Sequence, residues 1–142
     1  MAFVKIWIHF VWTTKKRKPF MTKNAKRQMI KHIKENAIEK DIYIDSIDGG
    51  KEHLHVLISL GSKQTVSEIA QLLKGESSFW FNSENLIKKK FGWQDEYFAV
   101  SVSQSVIPRV RKYIRNQEEH HKRKSFTEEY EEFMRKYGFH EK

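Results

Sequence analysis

Two histidines one residue apart, His53 and His55, lie in the segment Glu52-His53-Leu54-His55-Val56-Leu57-Ile58-Ser59-Leu60, whose even positions are all apolar. That alternation is a strand's, so both imidazoles share the face opposite Leu54, Val56, Ile58 and Leu60. Two residues along a strand span about 6.6 Å, close enough for the rings to converge on one metal ion. A hydrogen-bonded or surface pair fits the same spacing, and the strand alone leaves both readings open. A second constellation lies in Val110-Arg111-Lys112-Tyr113-Ile114-Arg115-Asn116-Gln117-Glu118. On a helix, residues four apart stack at about 6 Å, so Tyr113 and Gln117 bring a phenol and an amide oxygen toward one point, flanked by Arg109 and Arg111. An interface aromatic beside a solvated amide is the alternative.

The elements that must position these groups follow from periodicity. Phe3 to Trp12 alternates, with Val4, Ile6, Ile8, Phe10 and Trp12 on one face and Phe3, Lys5, Trp7, His9 and Val11 on the other, which predicts a strand. Thr22 is an N-cap for a helix to about Lys40, with Met29, Ile30, Ile33, Ala37 and Ile38 at helical spacing. Ile42 to Ile47 reads as a strand. Asp48-Gly49-Gly50-Lys51 is expected to supply left-handed backbone for a tight hairpin into a strand over Glu52 to Leu60. Ser62 to Thr65 caps a second helix reaching about Phe81, with Val66, Ile69, Ala70, Leu72, Leu73 and Phe79 as its apolar stripe.

Tyr97 to Ser103 alternates again, Phe98, Val100 and Val102 pointing inward. Pro108 opens a helix expected to run to about Arg123, and Ser125 or Thr127 caps a last one ending near Gly138. The order is strand, helix, strand, strand, helix, strand, then two helices: an α+β, ferredoxin-like βαββαβ antiparallel sheet with extra C-terminal helices. Helices cover one sheet face; the late helices or a second subunit must cover the other. Residues 1–142 read as one domain, with 125–142 as a helical tail that packs or clasps a dimer.

The net charge of +9 sits entirely in residues 1–40, where eleven Lys and Arg face two acidic residues. Lys15, Lys16, Arg17 and Lys18 head this concentration, which suits a polyanion because each neutralised phosphate releases counterions. A solvated basic face is the alternative. Cysteine is absent, so any metal must be held by His, carboxylate, amide or water. No apolar run approaches the roughly 18 residues of a membrane helix, and no signal-peptide pattern opens the chain. A soluble cytoplasmic protein with no membrane partner is expected.

Taken together, His-hydrophobe-His on a strand after a glycine turn and Tyr-x-x-x-Gln on a late basic helix resemble the single-tyrosine transposases of the HUH superfamily (His, hydrophobe, His). These are small enzymes of bacterial and archaeal insertion sequences, with REP-associated tyrosine transposases as relatives. The similarity runs from His9-Phe10-Val11-Trp12-Thr13-Thr14-Lys15 through Leu73-Lys74-Gly75-Glu76-Ser77-Ser78, Trp93 and Tyr97-Phe98-Ala99-Val100-Ser101-Val102 to Tyr113. It implies a divalent metal, single-stranded DNA with hairpin ends as substrate, and a homodimer whose sites combine histidines of one subunit with the tyrosine of the other. Carried over by residue, His53 and His55 become metal ligands, Gln117 the third ligand and Tyr113 the nucleophile.

The chemistry that the resemblance implies is transesterification through a 5′-phosphotyrosine intermediate, which conserves the phosphodiester's energy and needs no ATP. A phenol of pKa about 10 is a poor nucleophile at neutral pH, so a metal must polarise the phosphate. Mg²⁺ or Mn²⁺ is expected, with Mn²⁺ tolerating imidazole better. Lys15, Lys16, Arg17, Lys18, Arg109 and Arg111 are the expected DNA contacts. His9 either lines the DNA groove or is structural; His120 and His121 read as a solvated pair, with a supporting role near the metal as the alternative. A domesticated, non-catalytic hairpin-binding protein is the second functional reading, and an RNA-binding domain lacks its aromatic strand motif.

Overall fold

At the centre of the sheet lies β1 (Trp7–Thr13), in a computed structural model that describes residues 2–139. A basic 3-10 turn (Lys15–Arg17) leads to α1 (Lys23–Glu39), β2 (Tyr43–Gly49), β3 (His53–Ser59), α2 (Val66–Ser83) and β4 (Phe98–Val102). Then come α3 (Ile107–Arg115), α4 (Gln117–His121) and α5 (Phe126–Lys136). All strand pairs are antiparallel in the order β2-β3-β1-β4, the ferredoxin-like α+β arrangement expected. The caps are those the residue types favour: Thr22, Thr65 and Ser125 hydroxyls accept from the amides of Ala25, Glu68 and Glu128. Pro108 sits in the first turn of α3.

Two boundaries and one helix face differ from the sequence expectation. β1 starts at Trp7 instead of Phe3, because Trp7 pairs with Ser59 and Val102, where both partner strands end. Phe3 is left 94% exposed. The buried stripe of α2 advances in steps of four through Ile69, Leu73, Ser77 and Phe81, so Phe79 falls off it and faces solvent. The helix expected from Pro108 to about Arg123 breaks at Asn116, whose φ of −100° and ψ of 29° divide α3 from α4.

The Gly49-Gly50 turn does join β2 to β3, though for a different reason than expected. Neither glycine adopts a left-handed φ. Gly49 is required by proximity: a Cβ there would lie 2.0 Å from the carbonyl oxygen of His53.

One sheet face carries Ile8, Phe10, Trp12, Leu54, Val56 and Ile58, packed under α1 and α2. The other carries the residues in register with the histidines, and the late helices cover it without a second subunit. Trp7 and Leu57 pack with Ile107 and Ile114 of α3, whereas Val11, Phe98 and Val100 pack with Phe126 and Phe133 of α5. Phe98 and Val100 are thus inward, but toward α5. Burying each such large side chain contributes roughly 1.5–3 kcal/mol, so both helices are firmly seated. Between the two apolar clusters runs a buried polar seam of His9, His53, His55, Gln117 and Glu129.

Candidate active site and metal centre

His53 and His55 project from β3 onto this face, and both are completely buried. Glu52 fixes the first ring: its carboxylate, which can only accept, receives a hydrogen bond from His53 Nδ1–H at 2.6 Å. In the neutral ring Nε2 then presents a lone pair, and it faces Gln117 Oε1 at 3.1 Å. The amide cannot turn its donor toward the ring, because Gln117 Nε2 donates to the Tyr113 carbonyl at 3.1 Å. Phe126 stacks on the His53 ring with centroids 3.9 Å apart. His55 Nδ1 meets His9 Nε2 at 2.9 Å, so His9 is a buried partner of the site that also lines the cavity beside Tyr113.

Tyr113 stands over this pair. Its ring centroid lies 5.4 Å from that of His55 and 5.1 Å from that of His120, all within a single chain. The composite two-subunit site implied by the resemblance is therefore not needed to bring the phenol to the histidines. Burial and the adjacent Glu129 carboxylate push the Tyr113 hydroxyl well above the ordinary phenol value.

Sequence reasoning missed Glu129. It lies in the segment read as a packing tail, a glutamate among several on a helix rich in them, and nothing local distinguishes it. Folded, α5 buries it to 3% exposure, 2.7 Å from His55 Nε2 and 2.6 Å from His120 Nε2. Burial alone would raise its carboxyl; His55, and then Tyr113 and His53, hold it at about 2. The His55 ring is pushed down to about 4, chiefly by burial. His120 and His121, expected to be solvated, both turn inward: His121 Nε2 lies 3.0 Å from Gln117 Oε1 and 3.3 Å from Glu129.

These groups fit a metal by their own geometry. His53, His55 and Glu129 each offer a buried ligand atom, all within 4.8 Å of one another. His55 Nε2 and both Glu129 oxygens are buried without a hydrogen-bond partner despite their proximity. Buried polar atoms are almost always satisfied, and a buried carboxylate crowded by imidazole nitrogens is a donor set that a cation would satisfy. Gln117 Oε1, facing His53 Nε2, adds the amide donor anticipated from sequence.

The basic residues divide. Lys15, Lys16, Arg17 and Lys18 are exposed, Arg17 lying over the Tyr130 ring at 4.6 Å. Arg109 is exposed beside Tyr113, lining with Lys136, Glu129 and His120 a cavity of about 310 Å³. Arg111 departs from expectation: its guanidinium donates to both oxygens of Asp45 at 2.8 to 3.1 Å, which ties α3 to β2.

Fold and site together define a class: a ferredoxin-like antiparallel sheet that carries a buried histidine pair beneath a tyrosine helix. A family model described as "Transposase IS200 like" matches residues 2–117, and the chain belongs to this family. It is a transposase, an enzyme that cuts and rejoins DNA. The chain is 22% identical to the ISDra2 transposase TnpA of Deinococcus radiodurans over 114 residues, 77% of this chain and 81% of that protein. A solved transposase structure from the same organism superposes with a TM-score of 0.67 at 19% identity, covering 82% of this chain and 93% of the other. A REP-associated tyrosine transposase, solved bound to a REP hairpin, gives 0.57 at 19% identity over 85% and 72%. No helix among the described residues is long and apolar enough to cross a membrane.

Proposed function

We propose that this transposase nicks and rejoins single-stranded DNA bearing hairpin ends, with Tyr113 as nucleophile beside a divalent cation, Mg²⁺ or Mn²⁺, held by His53, His55, Gln117 and Glu129. The observation that supports this best is the position of Tyr113, 5.4 Å ring to ring from His55 and facing the same buried donor cluster. The Tyr113 oxygen bonds to the scissile phosphorus while the bond to the 3′ oxygen breaks, and the phenolic proton ends on that oxygen. The products are a 5′-phosphotyrosine link and a free 3′-hydroxyl; attack by a later 3′-hydroxyl reverses the step and joins the strand. When bound, the cation supplies Lewis acidity toward a non-bridging phosphate oxygen.

The chain's own residues do the rest. Glu52 and His9 orient the two imidazoles, and Phe126 shields them from water. Arg109 at the cavity mouth and Lys15, Lys16, Arg17 and Lys18 beyond β1 hold backbone phosphates, which position the strand without reading its sequence. The hairpin-bound relative of the same fold supports a structured single strand as the substrate. A homodimer is the proposed assembly for handling two element ends, in the cytoplasm, with each tyrosine acting on its own chain's histidines. The non-catalytic hairpin-binding reading is disfavoured by an intact Tyr113 packed on that cluster.

The test is covalent trapping. Labelled single-stranded hairpin DNA with Mn²⁺ is expected to give a protein–DNA adduct that Tyr113→Phe abolishes; an adduct persisting in that variant refutes the assignment.

A further inference from the structure

We infer that the site holds a second divalent cation, bound by His120, His121 and Glu129, with the Glu129 carboxylate shared between the two ions. The inference rests on the reading that His53 and His55 hold the first.

Three observations carry it. The carboxylate is divided: Oε1 lies 2.7 Å from His55 Nε2, and Oε2 lies 2.6 Å from His120 Nε2 and 3.3 Å from His121 Nε2. His120, His121 and Glu129 form their own cluster, with ligand atoms within 4.8 Å of one another. Second, His121 is already set for a metal. Its Nδ1 donates to the Lys124 carbonyl at 2.9 Å, so the neutral ring directs the Nε2 lone pair at Gln117 Oε1 and Glu129 Oε2. A ligand imidazole anchored through its outer N–H is the usual supporting arrangement at metal sites. Third, apart from Trp12 Nε1, every buried side-chain atom without a hydrogen-bond partner among the described residues belongs to this spot: His55 Nε2, His120 Nε2 and both Glu129 oxygens.

One ion at His53 and His55 leaves Oε2 facing the lone pair of His121, with His120 Nε2 crowded against the same oxygen at 2.6 Å. A second ion satisfies them. An imidazole-rich set favours Mn²⁺ and later transition ions over Mg²⁺. The family match ends at residue 117, so all three ligands lie beyond it. A cation there sits beside Tyr113, whose ring is 5.1 Å from that of His120, and offsets the burial and negative charge that oppose its phenolate.

The experiment titrates Mn²⁺ into the full chain after chelator treatment, read by calorimetry and by electron paramagnetic resonance, with thermal melts as a folding control. The expected result is about two equivalents per chain, with a spin-coupled signal, falling to about one uncoupled equivalent in the His120→Asn/His121→Asn variant. Should that variant not fold, His120→Asn alone is expected to weaken the later binding step at least about tenfold while sparing the earlier one. One equivalent in the unmodified chain, or no change in the variants, overturns the second site. An adduct at Tyr113 with one equivalent bound overturns it while the transposase chemistry stands; two equivalents without an adduct do the reverse.

Discussion

At the scale of single residues, the proposed metal centre depends on a missing side chain as much as on those present. The backbone of β2 approaches His53 so closely that Gly49→Ala would drive a Cβ into its carbonyl oxygen. The variant must shift the start of β3, and with it the ring that Glu52 and Phe126 hold. It is expected to lose several kcal/mol of stability, about 2–4, within the range of severe single substitutions, and to bind Mn²⁺ more weakly. Gly75 in α2 is the opposite case: a Cβ there would meet no neighbour within 4 Å, and its φ is not left-handed. Gly75→Ala should therefore raise stability by about 0.5–1 kcal/mol. Denaturant unfolding of both variants checks the pair, and a neutral Gly49→Ala would contradict the close approach.

At the scale of elements, α3 is the part that must not drift, because it carries Tyr113. Its apolar side is anchored by Ile107 and Ile114 on Trp7 and Leu57. Its polar side is anchored by Arg111 on Asp45, a carboxylate exposed by only 6% in its side chain. Arg111 hydrogen bonds hold the Asp45 carboxyl below its ordinary value. A carboxyl lowered in the folded state contributes stability above the unfolded value of about 3.9, and this is lost as pH falls through the lowered one. Arg111→Met should therefore melt at a lower temperature than the unmodified chain at pH 7, with the gap narrowing as pH falls below about 4. A gap independent of pH would mean that Arg111 acts through packing of its stem. The same anchoring makes α3 hard to exchange between chains, whereas the break at Asn116 lets α4 turn Gln117, His120 and His121 inward.

At the scale of the whole molecule, all the catalytic candidates meet within one chain. Mixing Tyr113→Phe protein with His55→Ala protein is expected to give no adduct, since neither chain retains a complete site; recovered activity would establish exchange between subunits. The charge asymmetry acts at this scale as well. With the excess of nine positive charges in residues 1–40, binding of a single strand should weaken steeply with salt, by a slope of about 0.7 per phosphate neutralised. Replacing Lys16 and Lys18 by alanine should lower that slope by about 1.4, leaving the Tyr113 adduct to form at low salt. An unchanged slope would remove the basic turn from the DNA path.

What could be read from the chain alone was what local periodicity and local chemistry encode. Alternation placed His53 and His55 on the face opposite Leu54, Val56 and Ile58, helical spacing paired Tyr113 with Gln117, and the threonine caps set two helix starts. Each depends on neighbours a few residues away. The contributions of Glu129, His120 and His121, and the diversion of Arg111 to Asp45, depend on which surfaces meet after folding. A glutamate on an exposed helix and one buried against His55 look the same in sequence, because the difference lies in the water removed and the partners supplied by β3 and α3. Only the tertiary structure decides that, by closing α5 over the sheet and turning an ordinary acidic side chain into the centre of the site.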